Sequence, residues 1–149
     1  MGGFIMKVKS LLITALFSLC LFNLSLFAQA PLEGTWQATY LEFTTPDTTF
    51  TRSGEQAASQ IKVINKTHFA TIAQGTNMES SMFNGGRYDL GKDTYTEHLE
   101  YFSMPAQIGK SFTFKCTLDK DKWEITGPVV KDGEPAPDWK LKEVYKRID

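Results

Sequence analysis

The sequence predicts an all-β fold: an eight-stranded antiparallel barrel with up-and-down connectivity. Three observations predict it. From residue 35 onward, runs of alternating apolar and polar residues, rich in β-branched and aromatic side chains, recur between clusters of Gly, Pro, Asn and Asp. No connection between these runs has the length and period of a crossover helix, so neighbouring strands pair as hairpins. The first run opens on Gly34-Thr35-Trp36, and the last ends near Arg147. Eight strands joined in this way close most economically on themselves, because closure leaves no unpaired sheet edge.

The elements follow in order. The first strand spans 35–43, and its alternation sets Trp36, Ala38, Tyr40 and Glu42 on one face. Pro46, which lacks an N–H and biases Thr45 away from helix, ends it. Residues 45–59 are long for a hairpin loop; they read either as a mobile surface loop or as a cover over the barrel mouth, with Arg52 as the charged group facing a ligand. The second strand is 60–64, turned by Asn65-Lys66, where Asn tolerates positive φ. The third is 67–74. The fourth, 80–89, is interrupted by Gly85-Gly86, which marks a bulge or a close backbone approach. The fifth is 94–102. The sixth, 111–118, directs Phe112, Phe114, Cys116 and Leu118 inward. After the polar turn Asp119-Lys120-Asp121 comes the seventh, 122–126, with Trp123 and Ile125 inward. Residues 127–137 hold three prolines and read as a loop. The last strand sets Trp139, Leu141, Glu143, Tyr145 and Arg147 on one face and Lys140, Lys142 and Lys146 on the other.

The first thirty residues read as an export leader. Lys7 and Lys9 precede an apolar run from Leu11 to Phe27, and Ala28-Gln29-Ala30 has the small-x-small form of a peptidase site. Met6 is a second available start. An uncleaved anchor is the alternative, since the run is near the lower length limit for a membrane span; the cleavage signal argues for removal and for no stable membrane anchor afterwards. The expected location is periplasmic or secreted, and residues 31–149 are expected to be a single domain. Leu19 before Cys20 does not suit a lipidation site. The leader carries no acidic residue, so its removal takes the formal net charge from −1 to −3. That balance provides no basic field for nucleic acid. Cys116 then stands alone, which excludes an internal disulfide and leaves stability to the core.

The densest chemistry lies in Tyr95-Thr96-Glu97-His98-Leu99-Glu100-Tyr101. On a strand Tyr95, Glu97, Leu99 and Tyr101 share one face, and Thr96, His98, Glu100 and Phe102 the other. Glu97 and His98 therefore point apart and form no acid–base pair. The first face is the more apolar. If it turns inward, Glu97 is a carboxylate inside the barrel and needs a partner; Arg87, across the hairpin, is the nearest in sequence. If the other face turns inward, His98 replaces it. The inward polar set is then Tyr40, Glu42, Arg87, Tyr95, Glu97, Glu143 and Tyr145, with Tyr101 on the same face as Glu97. Trp36, Phe69, Phe114, Trp123 and Trp139 supply aromatic walls. Convergent polar groups among aromatics characterise small-molecule sites; tyrosines and glutamates near strand ends that simply reach water are the plain alternative. His68 and His98 fit no metal or haem template, so no metal and no cofactor is expected. No nucleophile motif or phosphate-cradling loop occurs.

Gly34-x-Trp36 with Arg147, together with Phe83-Asn84-Gly85-Gly86-Arg87-Tyr88 and Tyr95-Thr96-Glu97-His98-Leu99-Glu100-Tyr101-Phe102, resembles the small secreted bacterial lipocalin-like (calycin-type) domains of unknown function. The resemblance covers most of 31–149. It implies a barrel whose first and last strands meet at a closed end, with the arginine packed across the indole, and an exported location. It implies no substrate. No helix pattern follows the last strand, unlike the classical extracellular subtype. Three functions stay open: a carrier of a small, partly apolar ligand; a small isomerase- or lyase-like enzyme with Glu97 as acid–base group; and a structural or interaction domain whose barrel is filled.

Overall fold

In a computed structural model of the chain, residues 32–131 and 134–149 are described. They belong to the second of two compact units, Pro31–Asp149. The expected leader, 1–30, lies outside the described residues.

The described residues form nine strands: β1 Gly34–Thr44, β2 Thr49–Ser53, β3 Gln60–Ile64, β4 His68–Ala73, β5 Met82–Leu90, β6 Thr94–Phe102, β7 Ser111–Asp119, β8 Lys122–Lys131 and β9 Glu134–Arg147. A single helical turn, α1 Glu55–Ala58, separates β2 from β3. Every pairing is antiparallel. β1 pairs with β3 through its first half and with β9 along its length, so that β1 and β3 to β9 close into an eight-stranded barrel. The fold expected from the sequence is therefore present. β2 is an addition: it occupies the same edge of β1 as β3, farther along, pairing Tyr40↔Ser53 to Thr44↔Thr49. The segment expected as a loop, 45–59, is thus a strand and a helical turn that prolong the barrel wall at one end.

That β8 and β9 form one long hairpin is a second departure. Of the segment 127–137, expected as loop, residues 127–131 pair with strand β9 from Gly127↔Leu141 to Lys131↔Glu134, with a register shift between Pro128 and Val129. Pro128 sits at this bulge and Pro137 among the residues it leaves unpaired, where the N–H they lack is not called on. Two more turns differ in detail. Asn65 makes its turn with its side chain, whose Oδ1 accepts from the Thr67 and His68 N–H groups at 2.9 and 2.8 Å; among the described residues, the non-glycine at positive φ is instead Lys120, in the β7–β8 turn.

One end of the barrel is solid. Trp36, Trp123, Tyr95 and Tyr145 are fully buried there. Trp123 packs edge-on against Trp36 and Tyr95, at 5.6 and 5.0 Å between centroids, and stacks on Tyr145 at 5.1 Å. Such pairs add about 1 kcal/mol each beyond their buried area. The first and last strands meet at this end, where Trp36 pairs with Arg147. The guanidinium lies 4.2 Å above the indole and donates to the Glu33 carbonyl. Gly34 lets this happen, since a Cβ there would run into the Arg147 guanidinium. The indole Nε1 donates to the Leu32 carbonyl at 2.9 Å. The expected closure motif is thus assembled in full.

Two bulges decide which side chains face inward at the opposite end. In β1 the register slips between Ala38 and Tyr40, leaving Thr39 as the extra residue. Trp36 and Ala38 point in before it, and Leu41 and Phe43 after it. In β6 the slip opposite Gly85-Gly86 leaves Glu100 extra, so that Leu99 and Phe102 both face inward. The glycine pair expected to mark a bulge does so: a Cβ on Gly86 would collide with the His98 carbonyl.

Candidate functional site

Above the aromatic end, the barrel encloses a cavity of about 870 Å³. Leu41, Phe43, Leu99, Phe112, Phe114, Trp139 and Leu141 form much of its wall, and it opens past the exposed Phe50, Arg52 and Met104. Its floor is polar. Gln60, Lys62, Thr71, Asn84, Glu97 and Glu143 all reach it from five different strands. The ladder aligns three of them directly, Lys62↔Thr71↔Asn84 across β3, β4 and β5.

Lys62 is the centre of this floor. Its side chain is 3% exposed, and its Nζ lies 2.6 Å from Glu97 Oε1 and 3.3 Å from Glu143 Oε2. Four rings surround the ammonium: Phe69, Tyr95, Trp123 and Tyr145, with centroids 5.4–5.7 Å away. Glu143 is held further by Gln60 Nε2, which donates to Oε1 at 2.9 Å, and by the Tyr145 hydroxyl, which donates to Oε2 at 2.6 Å. Gln60 also donates to the Tyr145 oxygen at 2.7 Å.

The electrostatics follow from burial. Desolvation pushes the Glu97 carboxyl above its ordinary 4.5, despite the opposing pull of Lys62. Desolvation works against the Lys62 cation too, but Glu143 and Glu97 outweigh it, and the ammonium ends above its ordinary 10.5. Burial, with the neighbouring carboxylates, drives Tyr95 and Tyr145 well above 10.0 and keeps both phenols protonated. The Tyr95, Thr71 and Asn84 side-chain oxygens are buried without a well-formed hydrogen bond.

The residues expected at the site divide in two. Glu97, Glu143, Phe114 and Trp139 line the cavity, as does Arg52 at its mouth; Glu42 borders it, but past the β1 bulge its carboxylate stands on the face of Tyr40, whose hydroxyl it accepts. The face of β6 that turns inward carries Tyr95, Glu97 and Leu99, as its apolar character suggested. Six others stand elsewhere. Trp36, Tyr95 and Tyr145 lie beneath the floor in the aromatic end. Tyr40 falls past the β1 bulge, turns outward, and donates to Glu42 at 2.5 Å. Tyr101 falls past the β6 bulge and is 69% exposed. Arg87 does not meet Glu97; it is on the outer face, with Nε donating to Glu100 at 3.0 Å. The partner is Lys62, which the pattern Gln60-Ile61-Lys62-Val63-Ile64 hides by inviting burial of Ile61 and Val63. The available signal was that two inward glutamates, Glu97 and Glu143, require a buried cation.

The histidines are outside the cavity. His98 is held between the Ser111 hydroxyl and Asp89, both at 2.8 Å, and His68 sits beside Thr67 and Glu100. Cys116 is buried, and its sulfur accepts the Trp123 Nε1–H at 3.3 Å.

No family model matches the chain, and no curated protein does. Among solved structures it is similar to an uncharacterised protein from Bacteroides eggerthii, 18% identical, with TM-score 0.48 over 79% of this chain and 100% of that one. It is also similar to a lipocalin-like protein from Bacteroides uniformis, 15% identical, with TM-score 0.48 over 78% of this chain and 98% of that one. The functional reading therefore rests on this chain's own cavity.

Proposed function

We propose that the protein is an exported carrier that binds a small, partly apolar ligand inside the barrel. The observation that carries the reading is the cavity itself: an open, largely apolar chamber whose buried end is polar. Its volume lies in the range of small-molecule sites. A barrel of eight strands is wide enough either to fill with side chains or to hold one such ligand, and the bulges in β1 and β6 turn Leu41, Phe43 and Phe102 into a wall rather than a plug. Export rests on Lys7, Lys9, the apolar run and Ala28-Gln29-Ala30, and intact mass of the protein from an exporting host is expected to begin at Pro31.

A second reading is favoured by one observation. Glu97 is a carboxyl of raised pKa at the wall of a cavity, which suits proton transfer to or from a bound ligand. Its bond to Lys62 makes it a fixed floor group first.

The test is titration with N-phenyl-naphthylamine, a neutral probe that fluoresces in apolar surroundings. The protein is expected to enhance its emission, and Leu99→Trp, which places a large ring in the cavity, to abolish the enhancement. No enhancement with the unaltered protein, or equal enhancement with the variant, contradicts the reading.

A further inference from the structure

We propose that the end of the ligand that reaches the cavity floor is a cationic hydrogen-bond donor, in the simplest case a primary amine. The inference rests on the carrier reading above and specifies the ligand's chemistry.

Charge is the first argument. Lys62 is one cation facing two carboxylates, Glu97 and Glu143, all three at most 7% exposed. With all three ionised the floor holds an uncompensated negative charge away from water, which is costly unless a proton or another cation joins it. A ligand ammonium supplies that cation.

The second argument is access. The ammonium of Lys62 is already shared by two carboxylates and enclosed by four rings, so its charge is more than compensated before an acidic ligand arrives. Glu143 is similarly occupied by Gln60, Tyr145 and Lys62. What remains is Glu97, which carries Lys62 on Oε1 and has the Tyr95 hydroxyl beside it, together with two oxygens that have no hydrogen bond: Thr71 Oγ1, on a residue 2% exposed, and Asn84 Oδ1. Both residues line the cavity. Buried polar atoms are rarely left unpaired, and these two lie in the row that continues from Lys62. A carboxylate, Asn Oδ1 and a hydroxyl oxygen together form an acceptor set. An ammonium has three donors and no acceptor, and matches it. Arg52, the opposing charge at the mouth, is exposed and screened by water.

The experiment compares decylamine, decanol and decanoate by calorimetry and by displacement of N-phenyl-naphthylamine, at neutral pH. The three share a chain and differ only in the head group. Decylamine is expected to bind at least about tenfold more tightly than the other two, the effect of one charge-assisted hydrogen bond. Glu97→Gln is expected to bring the amine down to the affinity of the alcohol, and Thr71→Val to weaken the amine roughly two- to tenfold. Circular dichroism checks that each variant is folded, and Thr71→Val carries the comparison if Glu97→Gln is not. Binding of decanol or decanoate as tightly as the amine overturns the amine assignment and leaves the carrier reading standing. An amine preference undiminished in the folded variants also overturns it. Failure of all three ligands and of the probe overturns both.

Discussion

Lys62 shows how a single side chain can reverse a local pattern. On hydrophobicity alone, the strand 60–64 would bury Ile61 and Val63. It buries Gln60, Lys62 and Ile64 and leaves Val63 exposed, because two carboxylates inside the barrel hold the ammonium. The imbalance of the trio gives an asymmetric prediction. Lys62→Met strands both glutamates and is expected to cost about 3–5 kcal/mol of folding stability. Glu97→Gln leaves a one-to-one pair of Lys62 and Glu143 and is expected to cost clearly less. Urea unfolding of the two variants measures this; equal losses would mean that the charges are not coupled as described. Gly86 gives a second prediction at this scale. A Cβ there meets the His98 backbone, which cannot move aside without breaking the ladder. Gly86→Ala is expected to destabilise the fold by about 1–3 kcal/mol, seen as a lower urea midpoint.

Among the elements, strands were legible and their inward faces only partly so. Period-two alternation located β3, β6 and β7 almost to the residue, and it placed Glu97, Glu143, Phe114 and Trp139 correctly inside. It failed where one extra residue shifts the phase. Tyr40 lies beyond the bulge at Thr39 and Tyr101 beyond the bulge at Glu100, so both were assigned the face that their neighbours Leu41 and Phe102 occupy. Only the Gly85-Gly86 bulge has a sequence mark. The β8–β9 hairpin was hidden for a different reason: its prolines signal a break, and only the ladder partner shows that the break is a bulge. A testable consequence lies in the neighbouring hairpin. Lys120 sits at φ 50 in the β7–β8 turn, where a Cβ is strained. Lys120→Gly is expected to stabilise the fold by up to about 1 kcal/mol after the added entropy of the unfolded glycine, seen as a higher melting temperature. A loss of stability would show that the lysine side chain holds the turn.

For the barrel as a whole, the closed end carries the packing, and the cavity is where the proposed ligand would lie. Closure by Trp36 and Arg147 was readable through the family resemblance that Gly34-x-Trp36 and Arg147 carry. The cavity was readable only as an inventory of inward groups, since its depth depends on which aromatics sit beneath the floor. Tyr95 and Tyr145 belong to that layer, and with Lys62 they set the alkaline limit. All three hold their protons more tightly folded than unfolded, and the carboxylates, phenols and ammonium that face one another here are Glu97, Glu143, Tyr95, Tyr145 and Lys62. Groups with raised folded values stabilise fully below their unfolded pKa and lose that contribution as pH rises through the folded one. Stability is therefore expected to fall as pH climbs from about 10 upward, where the unfolded phenols and lysine ionise. Calorimetric melting across that range checks it, and a flat profile would contradict it. Glu97 has the same sign at lower pH: its contribution is present below the ordinary carboxylate value of 4.5 and is lost as pH rises through its raised folded value.

A crystal structure of residues 31–149 grown with decylamine would decide the matter. The account predicts the alkyl chain between Leu99, Phe112 and Trp139, with its nitrogen at the floor beside Glu97 and Thr71. A barrel interior that excludes the amine, with side chains closed over the floor, would contradict it.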